Sequence, residues 1–167
     1  GQIEQTYFKR ELPNYQVFDE RRYFVAGQEP CVFEVAGVRV GVLICEDAWY
    51  PAAARDAAAA GAEVLAVINA SPFHLGKSAE REQTMRERVA ETGLPLLYAH
   101  LVGGQDEVVF EGRSFALGAD GRVAGRAPGF KENLFTVRLQ QAQGAIELIA
   151  NVAPVPSADA DLWDALV

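Results

Sequence analysis

Apolar and polar positions change rhythm several times along the chain. Cys31-Val32-Phe33-Glu34-Val35 alternates and predicts a strand. After Gly37, residues 38–44 predict a second strand. Its last three residues, Val42-Leu43-Ile44, are continuously apolar, as in a strand covered on both faces. Pro51 opens a predicted helix through residues 52–60, and Gly61 ends it. Residues 64–68 form another apolar run ending at Asn69, and Ser71-Pro72 and Gly76 mark a loop. Ser78 reads as the N-cap of a second helix to Thr92, with Gly93 as terminator. Met85 and Val89 lie on its core face, with Arg81, Arg86 and Arg88 left to solvent. Residues 94–101 predict a third core strand. The strand–helix–strand–helix–strand order implies parallel pairing through crossovers.

Beyond Gly103-Gly104, read as a turn, the segments shorten. Residues 108–110, 114–117 and 122–127 predict strands separated by Glu111-Gly112 and Asp120-Gly121, the second a hairpin signal. Leu134-Phe135-Thr136-Val137 predicts one more. From Asn151 the chain is rich in Ala, Pro, Asp and Ser, with Pro154 and Pro156, and reads as a linker. Leu162, Trp163, Leu166 and Val167 then begin a helical apolar pattern. The expected division is a domain over 1–150 and a linker over 151–167.

Composition narrows the class. The 167 residues suit one domain, and half are hydrophobic, enough for a sizeable core. Fifteen basic against twenty-three acidic residues give 15 − 23 = −8, which argues against a large nucleic-acid footprint. No apolar run approaches the roughly 20 residues of a membrane span. Cys31 and Cys45 are too few for a disulfide framework or zinc ribbon, and His74 and His100 complete no structural metal site without carboxylates. Gly1-Gln2-Ile3-Glu4-Gln5 shows no signal peptide, so a reducing, cytoplasmic setting is expected. The lack of an initiator Met leads to the expectation of a fragment of a larger protein.

The chemistry concentrates where the apolar strand 42–44 runs into Cys45-Glu46-Asp47 and a Trp49-Tyr50-Pro51 turn. A nucleophile at such a strand-to-helix elbow is exposed at the carboxyl end of a sheet, where the next backbone N–H can stabilise an oxyanion. Cys31 instead reads as a structural thiol in a strand. Taken alone, Lys9 is a surface lysine, Glu20 part of a solvated charge run, and Asn69 a turn cap or a site-lining residue. Gly76-Lys77-Ser78 is no P-loop, because Ser71 stands where the first glycine belongs and Pro72 removes a backbone donor. His74 reads as a surface loop histidine.

Together, Lys9, Glu20, Cys45-Glu46-Asp47 and Asn69-Ala70-Ser71-Pro72-Phe73 resemble the nitrilase superfamily of carbon–nitrogen hydrolases. More narrowly, the stretch 9–24 with its Leu12-Pro13-Asn14-Tyr15, Leu43-Ile44-Cys45-Glu46-Asp47-Ala48-Trp49, Ser71-Pro72-Phe73-His74-Leu75-Gly76-Lys77 and Val102-Gly103-Gly104-Gln105-Asp106-Glu107 are similar to the glutaminase domains of glutamine-dependent NAD+ synthetases. The resemblance implies an α/β fold, a nitrilase-like four-layer α-β-β-α sandwich, incomplete here at its N-terminal side. It implies amide hydrolysis by a Glu–Lys–Cys triad, with Cys45 as nucleophile, Lys9 as triad lysine and Glu20 as the additional glutamate near it. Tyr15, Glu46 and Ser71 match positions that hold glutamine. The triad glutamate itself is expected upstream of Gly1, so the fragment alone is expected to be inactive.

In the implied mechanism Lys9 and a backbone N–H steady the oxyanion, an adjacent ammonium favours the Cys45 thiolate, and a glutamate directs water at the thioester. No cofactor or metal is needed for that step. ATP and Mg2+ are used by a synthetase domain absent from this chain, which converts NaAD to NAD+. A homo-oligomer is also expected. Three residues depart from the family's usual pattern: His100 for asparagine, Leu101 for glutamine and Glu111 for aspartate. Another nitrilase-type amidase, such as a carbamoylase or omega-amidase, and a non-catalytic assembly fragment are the competing readings.

Overall fold

Continuous apolar runs become the inner strands of a six-stranded sheet in a computed structural model of the chain. Residues 2–142 and 144–167 are described; Gly1, the first residue of the polar opening, and Gln143 lie outside them. The first hairpin joins β1 (Cys31–Val35) to β2 (Val38–Ile44). α1 (Pro51–Ala59) leads to β3 (Val64–Asn69), and α2 (Lys77–Thr92) leads to β4 (Leu96–His100). As the pattern implies, β2, β3 and β4 pair in parallel, with Ile44 opposite Ile68 and Asn69 opposite His100. Their carboxyl ends therefore meet at one edge of the sheet, where open α/β sheets place ligands.

β5 (Val102–Gln105) and β6 (Val108–Glu111) form a separate hairpin. Gly103 and Gly104 are thus paired strand residues, opposite Phe110 and Val109, rather than a turn; the turn lies at Asp106, whose φ is 52°. β7 (Phe115–Leu117) and β8 (Val123–Arg126) close the sheet through the Asp120-Gly121 turn, giving the order β1-β2-β3-β4-β7-β8. The strand predicted at 134–137 does not form, and Leu134 is exposed. Pairing starts four residues later in the hairpin of β9 (Arg138–Ala142) and β10 (Ala145–Ile149). The tail carries α3 (Ala158–Leu166), capped by Ser157, whose side chain accepts the Ala160 N–H at 3.3 Å.

The helices cover one face of the sheet. Ala53, Ala54 and Ala57 of α1 pack with Leu43, Leu65 and Val67, and Met85 and Val89 of α2 with Leu96. Small residues set the spacing there. A Cβ on Gly41 would come within 2.9 Å of the Ala62 Cβ, so glycine lets the helix connection lie against β2. On the other face Ala116 packs with Ile146 and Leu148 of β10. The α/β class and the parallel core follow the sequence reading, with a helix layer and sheet of the nitrilase-like type.

Helix α2 departs from its sequence reading in two ways. It starts at Lys77 with Gly76 as N-cap, and Ser78 turns its hydroxyl to Glu111 at 2.9 Å instead of capping. Arg81 and Arg88 are buried rather than solvated. Burial is feasible because each guanidinium is saturated. Arg81 pairs with Glu111 and donates to Ser71 and to the Pro72 carbonyl, while Arg88 donates to the Trp49 carbonyl and pairs with Glu91. Arg113 pairs with Asp161 at 2.9 Å and so docks α3. No helix among the described residues is long and apolar enough to cross a membrane.

Candidate active site

Cys45 is the first residue beyond β2 and opens a tight 3-10 turn, Cys45–Trp49. Its φ of 49° puts a non-glycine residue in the left-handed region, a conformation held only where the surroundings enforce it. Asp47 does much of the enforcing. It is fully buried, and its Oδ2 accepts the Ile44 N–H at 3.0 Å and the Tyr7 hydroxyl at 2.8 Å. Its Oδ1 accepts the N–H groups of Arg10 and Glu11 at 2.9 and 2.7 Å. One carboxylate therefore ties the cysteine elbow to the segment that carries Lys9. The Arg10 guanidinium adds a second tie, to Asp56 of α1 at 2.7 Å. On the far side, the Gly27 N–H donates to the Lys9 carbonyl, and a Cβ at Gly27 would collide with the Phe8 carbonyl.

Lys9 and Glu20 meet as an ion pair. The ammonium lies 2.6 and 2.7 Å from the two carboxylate oxygens, and both side chains are mostly buried. They line a cavity of about 730 Å³ together with Cys45, Asn69 and His100. Its other walls are chiefly apolar, with Phe8, Phe24, Ile68 and Leu101 among them. Glu20 is the carboxylate among the described residues on this lining. The segment 99–101, including two of the three departures from the family pattern, therefore does face the cysteine's cavity.

A second recess of about 360 Å³ reaches Cys45 from the other side, bounded by Tyr15, Glu46, Ser71, Lys77 and Glu80. Tyr15 donates its hydroxyl to Glu46 at 2.8 Å. Ser71 is buried and firmly held, its hydroxyl accepting from Asn69 Nδ2 at 3.1 Å and Arg81 Nε at 3.0 Å. Lys77 was hidden in the sequence behind the P-loop look-alike. Its ammonium sits 4.0 Å over the Trp49 ring and 2.9 Å from Glu80, inside the same recess. Exposed His74 lines the recess as well.

The electrostatics of Cys45 differ from the sequence expectation. Burial pushes its thiol above the ordinary range, and the Ala70 N–H and the Lys9 ammonium pull it down without prevailing. Glu46 and Glu20 oppose them. The ammonium that was expected to favour a thiolate is already paired with Glu20. Cys31, by contrast, lines neither recess and donates its thiol to Gln5 Oε1 at 3.2 Å, in keeping with a structural role. Among the described residues no three His, Cys, Asp or Glu gather as a metal site.

Four likenesses bear on this arrangement. The carbon–nitrogen hydrolase pattern matches residues 1–145. A glutamine-dependent NAD(+) synthetase of Xylella fastidiosa is 45% identical over the whole chain, which spans 31% of that protein. The solved glutamine-dependent NAD+ synthetase of Acinetobacter baumannii superposes with a TM-score of 0.92 at 36% identity, over 99% of this chain and 31% of that one. An amidase of the bacterium Nesterenkonia sp. AN1, captured with an acetamide moiety covalently added to its active-site cysteine, is 27% identical with a TM-score of 0.64. That likeness covers 92% of this chain and 49% of the amidase.

Proposed function

The chain belongs to the carbon–nitrogen hydrolase family, and from that premise we propose that it hydrolyses the side-chain amide of glutamine at Cys45. The observation that carries this reading is the place of Cys45 between two recesses of different character. Lys9 and Glu20 stand on one side. On the other, Glu46 and Glu80 offer negative charge and Lys77 positive charge, which suits the ammonium and carboxylate of an amino acid. Tyr15 and Ser71 line this same recess, and Phe18 borders both recesses with Cys45.

In this mechanism the Cys45 sulfur attacks the amide carbon, and the carbonyl electrons move to the oxygen. Lys9 and a backbone N–H of the elbow steady that oxyanion. The oxyanion collapses, the C–N bond breaks, and the nitrogen leaves as ammonia with the thiol's proton. A water then adds to the thioester and releases glutamate and the free thiol. Both steps need a base. Glu20 has both oxygens on the Lys9 ammonium, which suits holding Lys9 better than accepting a proton. A second carboxylate is therefore proposed to complete the Glu–Lys–Cys triad. No cofactor or metal enters this half-reaction. Its ammonia would pass to a synthetase domain, which uses ATP and Mg2+ to make NAD+. A reducing compartment suits the two free thiols.

The test is glutamate formation from glutamine, measured on the longest polypeptide that carries this chain. Turnover should vanish in Cys45→Ala and persist in Cys31→Ala. Unchanged turnover in Cys45→Ala overturns the proposal.

A further inference from the structure

His100 closes β4 with its side chain buried between two spaces. One is the Cys45 cavity; the other is a void of about 10 Å³ that it shares with Tyr98, Glu111 and Arg81. Four polar atoms there have no hydrogen-bond partner among the described residues: Tyr98 Oη, both ring nitrogens of His100 and Glu111 Oε2. Their side chains are almost wholly buried. The neighbouring oxygen of the same carboxylate, Oε1, is satisfied twice, by Arg81 and by the Ser78 hydroxyl. The orphaned atoms are thus gathered on one side of the network, around the void.

Buried polar groups in native proteins are nearly always paired, with ordered water where protein does not reach. Nε2 of His100 stands 3.6 Å from Glu111 Oε2, too far for a direct bond. The volume is about that of one water, which needs two to four polar partners. A cation is disfavoured by the Arg81 guanidinium already on Glu111.

We infer that this void is a site for one ordered water bridging Tyr98 Oη, His100 Nε2 and Glu111 Oε2, and that the bridge makes His100 a positioning residue of the Cys45 cavity. Glu111 only accepts, so the water donates one proton to Oε2. Its other proton and its lone pairs serve Tyr98 Oη and His100 Nε2, each of which can donate or accept, and the bridge so fixes one ring tautomer. Burial and the Arg81 charge keep the ring neutral. The site stands independently of whether Cys45 acts on glutamine.

Tyr98→Phe gives the test, because it removes one hydroxyl and little else. In a crystal structure at about 1.3 Å resolution the parent chain should show a single spherical peak within hydrogen-bond distance of all three atoms. Nitrogen NMR of the histidine-labelled chain should report one tautomer for His100, mixed with the other in Tyr98→Phe, and the variant's Tm should fall. If the hydroxyl is idle, its removal leaves Tm unchanged or raised. That result, an empty void in the parent, or a tautomer that does not respond to Tyr98→Phe overturns the inference.

Discussion

The buried carboxylate of Asp47 accepts the backbone N–H of Glu11 at 2.7 Å and so fixes the Lys9 segment to the cysteine elbow. Three further donors converge on the same side chain. Asp47→Asn would put an amide N–H against backbone N–H groups. It should destabilise the chain by roughly 2–4 kcal/mol in urea unfolding. Glu11→Ala should have little effect, because the contact uses the backbone of Glu11 and not its carboxylate. Equal losses in the two variants would place the stabilisation elsewhere.

Lys9→Ala tests the oxyanion role. Removing one such donor typically costs about 3–4 kcal/mol of transition-state stabilisation. Glutamine turnover in the longest polypeptide carrying the chain should drop accordingly, with kcat falling more than KM rises. A change confined to KM would make Lys9 a substrate-binding residue.

Arg81 controls the floor of the recess at Ser71. It holds the Ser71 hydroxyl and carbonyl and neutralises buried Glu111. Arg81→Met leaves that carboxylate buried without its cation, so about 3–5 kcal/mol of stability should be lost. Arg81→Lys should not restore it, since an ammonium cannot reproduce the forked contacts. Thermal unfolding of both variants checks this.

Acid should weaken the fold partly through His100. Burial, then the Arg81 charge, lower its pKa from 6.5 to about 3, with the Asn69 carbonyl opposing them. Glu111, Tyr98, Glu82 and Arg113 beside it, and Tyr7, Lys9, Glu20 and Cys45 around the cavity, are the other ionisable groups near it. The unfolded chain takes up the proton near pH 6.5 and the folded chain does not. This stabilisation is therefore complete above pH 6.5 and is lost as pH falls toward 3, by up to about 1.4 kcal/mol per pH unit. Urea unfolding from pH 7 to 4 should show a shallower acid loss in His100→Asn than in the parent.

What the sequence made legible follows from where the physics is local. β2 and β3 carry continuous apolar runs that stand out in the sequence, although only the helix side, with Leu43, Leu65 and Val67, is fully buried and Ile68 on the other side is exposed. The elbow at Cys45 follows directly from the end of β2. Lys9 and Glu20 carry no local signal, since an ion pair across eleven positions looks like two surface charges. Only the family resemblance singled them out. The burial of Arg81 was hidden because Glu111 lies thirty positions away, and periodicity alone assigns an arginine to solvent. β9 escaped notice because Arg138-Leu139-Gln140-Gln141-Ala142 is polar and is held by its hairpin partner rather than by burial on both faces. Lys77 was visible but read with the wrong neighbours: its partner is the Trp49 ring, not a phosphate.

Residues 1–167 alone should release negligible ammonia from glutamine, since Glu20 is engaged by Lys9. Supplying a segment that carries a second carboxylate, in the same chain or co-expressed, should restore release. Robust turnover by the isolated chain would make Glu20 the base and remove the need for another carboxylate.

Covalent capture tests the central assignment most directly. A glutamine-shaped diazoketone, added to the longest polypeptide that carries this chain, should modify one site, mapped by peptide mass spectrometry to Cys45. Excess glutamine should protect it. Because burial raises the Cys45 thiol, labelling should accelerate with pH and inflect above the range of an ordinary cysteine. Modification of Cys31 with Cys45 untouched, in a polypeptide that hydrolyses glutamine, would contradict the account.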